Sequence, residues 1–126
     1  MGLIYATLTL RNPRRSELAS MELTALADTG ALHLVLPAHI AMQMQIQEKE
    51  QREVVLADGS VHKVPYAGPV EVSFKNRTAF VGALIMGDQP LLGAIPMEDL
   101  DLVLSPATRS VEVNPFSPNI PLSIVK

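Results

Sequence analysis

From Leu3 to Val113 the chain runs in short β-forming stretches, each cut off by residues that break an extended strand. "LIYATLTL" ends at Arg11-Asn12-Pro13, "MELTALA" at Asp28-Thr29-Gly30, "EVVLA" at Asp58-Gly59, "GPVEVSF" at "KNR", and "TAFVGALIM" at "GDQP". Alternating or continuous apolar runs this short, with Gly, Pro and Asn or Asp between them, predict many strands at close spacing. The pattern predicts an all-β domain, closed or sandwich-like, with one or two short helices. Val70, Val72 and Phe74 share one strand face, and "TAFVGALIM" has the continuous apolarity of a strand buried on both sides. Asp58-Gly59 between two β-prone runs predicts a tight hairpin whose two central residues both take positive φ. Pro37 opens a helix in "AHIAMQMQIQEKEQ" that ends in a solvated polar exit, and Pro96 opens a helical turn in "PMEDLDLVL". "RSVEVNP" is a late strand, and the Pro-rich tail from about 115 to 126 is expected to be irregular.

Composition narrows the rest. A chain of 126 residues suits one domain spanning 1–126, and 48% hydrophobic residues give it material for a core. With aromatics at 4% and no Trp, that core must be aliphatic. The net charge of −3 argues against a nucleic-acid partner, and the Arg11, Arg14 and Arg15 cluster is expected to be a solvated turn. Having no cysteine, the chain can form neither disulfides nor a thiol nucleophile; this fits a reducing, cytoplasmic setting. No apolar run approaches the ~20 residues of a membrane helix, and no secretory leader opens the chain, so no membrane association is expected. His33, His39 and His62 lack the spacing of a metal site, and neither a metal nor a cofactor is expected.

The segment "ALADTGALHLVLP", residues 25–37, poses a chemical question, because an acid interrupts an apolar run. An unpaired buried charge is costly, so Asp28 either caps a turn or is a working group. Gly30 allows a sharp turn and close approach of a ligand, and the Thr29 hydroxyl can fix the loop by hydrogen bonding.

This segment, Asp28-Thr29-Gly30-Ala31 with its apolar flanks, resembles the active-site stretch of retropepsin-like aspartic proteases. The likeness extends from about residue 20 to 104 and is closest to small bacterial single-domain members of that clan. Leu91-Leu92-Gly93, followed by "AIPMEDL", matches the second family signature of two hydrophobic residues, Gly and a short helix. "LADGSVHKV" matches the flap hairpin, with Ala57, Asp58, Gly59 and Ser60 at its tip.

The resemblance implies a closed barrel and an aspartic endopeptidase with Asp28 as its catalytic acid. Two carboxylates about 3 Å apart cannot both ionise easily, so they share one proton. The charged member activates water, and the protonated member hydrogen-bonds the scissile carbonyl. With one Asp-Thr-Gly per chain, the pair requires an isologous homodimer acting on a peptide or unfolded protein. Residues 3–10 and 109–114, with Val111 and Val113, are the candidate strands for interleaving at that interface, or they pair within the subunit. Retroviral members place an acid and an Arg where this chain has Leu32 and Ala94, so their ion-pair brace is missing here and apolar contact is its expected replacement. The polar Asp58 likewise departs from a Gly-rich flap tip. The rival reading is a non-proteolytic module of the same fold that dimerises or binds peptides.

Overall fold

The computed structural model describes residues 3–125, so Met1, Gly2 and Lys126 of the expected domain lie outside the described residues. The chain is mostly β. Its elements are β1 (Tyr5–Arg11), β2 (Met21–Ala27), β3 (Leu34–Leu36), α1 (Ala38–Gln43), β4 (Glu48–Val55), β5 (Val61–Phe74), β6 (Arg77–Ile85), β7 (Leu91–Leu92), α2 (Ala94–Asp99), β8 (Leu102–Ser105) and β9 (Ser110–Val113). The strands form one sheet in the order β4-β5-β6-β3-β7-β2-β1-β9-β8, and β5 also pairs with β1. That extra pairing, Thr9↔Ser73 to Arg11↔Glu71, joins the ends of the run β5-β6-β3-β7-β2-β1 into a ring.

Alternation fills the ring. In β1, Ala6, Leu8 and Leu10 point inward while Tyr5, Thr7 and Arg11 face out. Val70, Val72 and Phe74 do the same in β5, on the face the alternation predicted. With Leu34, Leu36, Leu92 and Leu100 they form an aliphatic core. Each such side chain contributes roughly 1.5–3 kcal/mol of burial. A smaller apolar cluster, Val35, Val64 and Leu84 with Val54, Tyr66, Met86 and Leu91 against it, lies under the β4–β5 hairpin.

Several expectations need correction. The helix at Pro37 stops at Gln43 and does not run toward residue 51. Gln45 takes a left-handed φ of 56°, and Ile46 N–H reaches back to the Ala41 carbonyl, a Schellman-type stop. The buried Asn12 side chain donates to the Met44 and Gln45 carbonyls, each at 3.0 Å, and seals that end. The polar "EKEQRE" is therefore the exposed half of strand β4, paired with β5 from Glu48↔Ala67 to Val55↔Val61. "PMEDLDLVL" divides in the same way. α2 ends before Asp101, whose φ is 54°, and Leu102 begins β8. β6 is not buried on both faces throughout, since Phe80 is 62% exposed and only the half near Ala83 and Leu84 is enclosed.

The Asp58-Gly59 hairpin closes by a three-residue loop and not by the two-residue turn its sequence suggests. Gly59 N–H bonds to the Leu56 carbonyl, Leu56 N–H to the Ser60 carbonyl, and Gly59 alone of the loop has positive φ.

Both candidate interface strands have partners within the chain. β1 pairs β2 and β5, while β9 pairs β8 along its length and touches β1 at Tyr5↔Ser110. Val111 is buried in the core. Beyond β9, residues 115–125 carry neither helix nor strand, and Phe116, Ile120, Leu122 and Ile124 are exposed. Among the described residues no helix is long and apolar enough to cross a membrane.

Candidate active site

Asp28 leaves the end of β2 at the point where β2 runs parallel to β7. Leu26 pairs with Leu91 and Ala27 with Leu92, and Asp28 N–H continues the ladder to the Leu92 carbonyl at 3.0 Å. Thr29 and Gly30 then turn the chain. Gly30 N–H donates to Asp28 Oδ1 at 3.0 Å, and Ala31 N–H to the Asp28 carbonyl at 3.1 Å. Asp28 is part-buried, whereas Thr29 and Gly30 are exposed. This is an Asx-type turn, so the structural half of the sequence alternative holds. The turn engages only one of the two carboxylate oxygens among the described residues.

The second signature supports the first from below. The first amides of a helix have no partner inside it. In α2 the Ala94 and Ile95 N–H groups instead donate to the Ala31 and Leu32 carbonyls, at 2.9 and 2.8 Å. The loop thus caps the helix, and the helix fixes the loop. Gly93 is the contact point: a Cβ there would lie 2.3 Å from the His33 carbonyl oxygen and 2.8 Å from that of Ala31. Leu91, Leu92 and Gly93 are therefore brought directly against Asp28-Thr29-Gly30-Ala31. At the positions lacking the ion pair, Leu32 is 59% exposed and Ala94 is part-buried.

In front of the loop opens a cleft of about 700 Å³, within the range of ligand sites. Asp28, Gly30, Ala31, Leu32 and His33 form its floor, β4 from Arg52 to Ala57 forms one wall, and Val35, Leu84, Met86 and Leu91 close the interior. The expected catalytic acid and the hairpin expected to act as a flap thus face a common, mostly apolar space. Of the expected tip residues only Ala57 lines it; Asp58, Gly59 and Ser60 stand outside. Asp58 accepts from Ser60 N–H at 2.9 Å and from Ser60 Oγ at 2.5 Å, which hold its carboxyl below the usual range.

Some of the cleft was not legible beforehand. Period-two alternation leaves Arg52 and Val54 part-buried on β4 while Glu50, Glu53 and Val55 are exposed, and Arg52 to Val55 all border the cleft. Arg52 lies over the Tyr66 ring, 3.8 Å from its centroid, and donates from Nε to Glu50 at 2.7 Å. Tyr66 in turn meets His33 edge-on at 5.5 Å. Gly82 makes room for this stack, since a Cβ there would lie 2.1 Å from the Tyr66 hydroxyl. Burial and then the Arg52 charge hold the His33 imidazolium pKa below its ordinary value. The alternation at Arg52 and Val54 was the available signal, masked by the surrounding charges.

The other histidines lie elsewhere: His39 is exposed on α1, and His62 faces Ser60 Oγ at 3.0 Å. Among the described residues no three His, Cys, Asp or Glu side chains gather in a way that could hold a metal. No protein-family model matches the chain, and no curated protein matches it.

Proposed function

We propose that this chain is a retropepsin-like aspartic endopeptidase that works as a homodimer, with Asp28 of each protomer contributing one carboxylate. The observation that carries the reading is the opening of Asp28, on a loop fixed by Gly93 and α2, into a cleft walled by the β4–β5 hairpin. The closed strand ring, the Asp-Thr-Gly turn and the Leu-Leu-Gly support agree with a retropepsin-like barrel.

The chemistry follows from charge. Two carboxylates brought together across a two-fold axis share a proton, and the apparent pKa values belong to the pair. The anionic member removes a proton from water as that water attacks the peptide carbonyl; the neutral member hydrogen-bonds the developing oxyanion. No covalent intermediate forms. The Gly30 N–H bond orients the Asp28 carboxyl within its own loop, and the exposed Thr29 and Gly30 are available to a partner's loop. An extended peptide would lie along β4 and be held by main-chain hydrogen bonds, with the apolar interior taking a side chain.

The test is hydrolysis of an unstructured protein substrate between pH 4 and 7, with and without a statine-type transition-state inhibitor. The reading expects cleavage that the inhibitor blocks and Asp28→Asn abolishes. Cleavage surviving that substitution would remove Asp28 from the chemistry. A folded dimer with no cleavage would favour the binding module.

A further inference from the structure

We infer that Arg52 reads a carboxylate on the bound peptide, making the cleft selective for acidic substrates. The inference rests on the peptide cleft proposed above. Arg52 shares the inner face of β4 with Val54, whose side chain packs into the apolar cluster beneath the hairpin. Its guanidinium is held on two sides, by the Tyr66 ring at 3.8 Å and by Glu50 at Nε. Tyr66 is itself fixed, seated against Gly82 and edge-on to His33.

Among the described residues only Nε of this guanidinium is hydrogen-bonded, and the side chain is 39% exposed. The outer fork of NH1 and NH2 is left for a ligand. A planar fork held in this way has already lost much of the rotamer freedom that binding would otherwise remove, and its geometry matches a carboxylate.

The rest of the lining gives the charge its meaning. The interior is aliphatic, and the acidic residues of the lining are Asp28 on the floor and Glu53 next to Arg52 on β4. Arg52 is therefore the only Lys or Arg lining the cleft among the described residues. A single fork suits a carboxylate better than a phosphate, which would draw on further cations or free helix amides. The first amides of α2 are already taken by Ala31 and Leu32. The carboxylate can come from an Asp or Glu side chain or from the peptide's own C-terminus.

Binding can be measured on the full chain carrying Asp28→Asn, so that no substrate is turned over. Fluorescent peptides with an aliphatic centre would carry Glu or Gln at flanking positions, each with a free or an amidated C-terminus. The acidic peptides should bind roughly ten- to hundredfold tighter than their neutral counterparts, the scale of a hydrogen bond to a charged group. Arg52→Gln should erase that preference, while Arg52→Lys should restore only part of it. A preference that follows the Glu/Gln exchange identifies a side-chain carboxylate; one that follows amidation identifies a chain end. Equal binding of acidic and neutral peptides, or a preference unchanged by Arg52→Gln in a protein of unaltered circular dichroism, overturns the inference. Hydrolysis by the unsubstituted chain is scored separately. Cleavage with no acid preference sinks the role of Arg52 alone, whereas an Arg52-dependent preference without cleavage sinks the peptidase alone.

Discussion

Two aspartates follow the end of a secondary-structure element in this chain, and their surroundings are opposite. Asp28 follows β2 and accepts a single hydrogen bond to its carboxylate, from Gly30 N–H. Asp101 follows α2 and is surrounded by donors. Asn114 Nδ2 lies 3.0 Å from Oδ1; Ser117 Oγ and Leu122 N–H lie 2.5 and 2.9 Å from Oδ2. Arg77, fully buried, sits 3.7 Å from the same carboxylate and donates to the Ser117 carbonyl. These donors hold the Asp101 carboxyl down at about 2, with the Ser117 hydroxyl the largest cause and the Arg77 charge a lesser one. One acid is committed to binding the tail to the sheet. The other is held by its backbone and left with acceptor capacity facing a cleft.

The sharpest way to break this contrast is to remove each acid in turn. Asp28→Asn keeps the acceptor that Gly30 uses, so the melting temperature should stay near that of the parent chain. Peptide hydrolysis should be abolished, a loss at least as large as the roughly 10²–10⁴-fold that general acid–base catalysis supplies. A large loss of stability in that variant would show that Asp28 is structural, like Asp101.

Gly93→Ala lies on the boundary between the two behaviours. The new methyl must displace the His33 and Ala31 carbonyls. Overpacking of this kind costs roughly 1–3 kcal/mol. Because the displaced atoms belong to the Asp28 loop, activity should fall together with the urea midpoint. Hydrolysis unchanged in a destabilised protein would separate the loop from its support.

Asp101→Asn should move stability and leave peptide cleavage as it was. Since the folded pKa of Asp101 lies below its ordinary value, its contribution is present above about pH 4 and lost as pH falls through about 2. The urea midpoint of the parent chain should therefore drop between pH 4 and 2, with a shallower drop in the variant. Limited proteolysis of the variant should also release the segment after Asn114. The smallest effect belongs to Asp58→Ala at the hairpin tip. It should leave the melting temperature unmoved and show only as faster hydrogen exchange of the Ser60 amide, which Asp58 now holds.

What the sequence could disclose follows the same division. The Asp28 loop and Leu91-Leu92-Gly93 are compact signals, because each motif's residue types answer a local need: a turn, a parallel pairing, a close backbone approach. The Asp101 cluster was invisible, since its partners lie 13 to 24 positions away and a lone Asp after a helix has many explanations. The first half of β4 reads as the exit of a helix because Glu48 to Arg52 are equally at ease in either state; only the cross-strand partners in β5 decide. The same ambiguity hid Arg52. Phe80 shows the limit of apolar runs as evidence, since a strand can stay apolar on a face that the chain itself leaves open.

The central claim is that two Asp28 carboxylates act as one unit, and mixed dimers test it most directly. Differently tagged protein with and without Asp28→Asn can be unfolded together, refolded at a series of ratios and assayed for peptide hydrolysis. A shared proton between protomers predicts activity that falls with the square of the unsubstituted fraction, because every mixed dimer is inactive. Activity falling in direct proportion to that fraction would mean that each protomer works alone and would contradict the account.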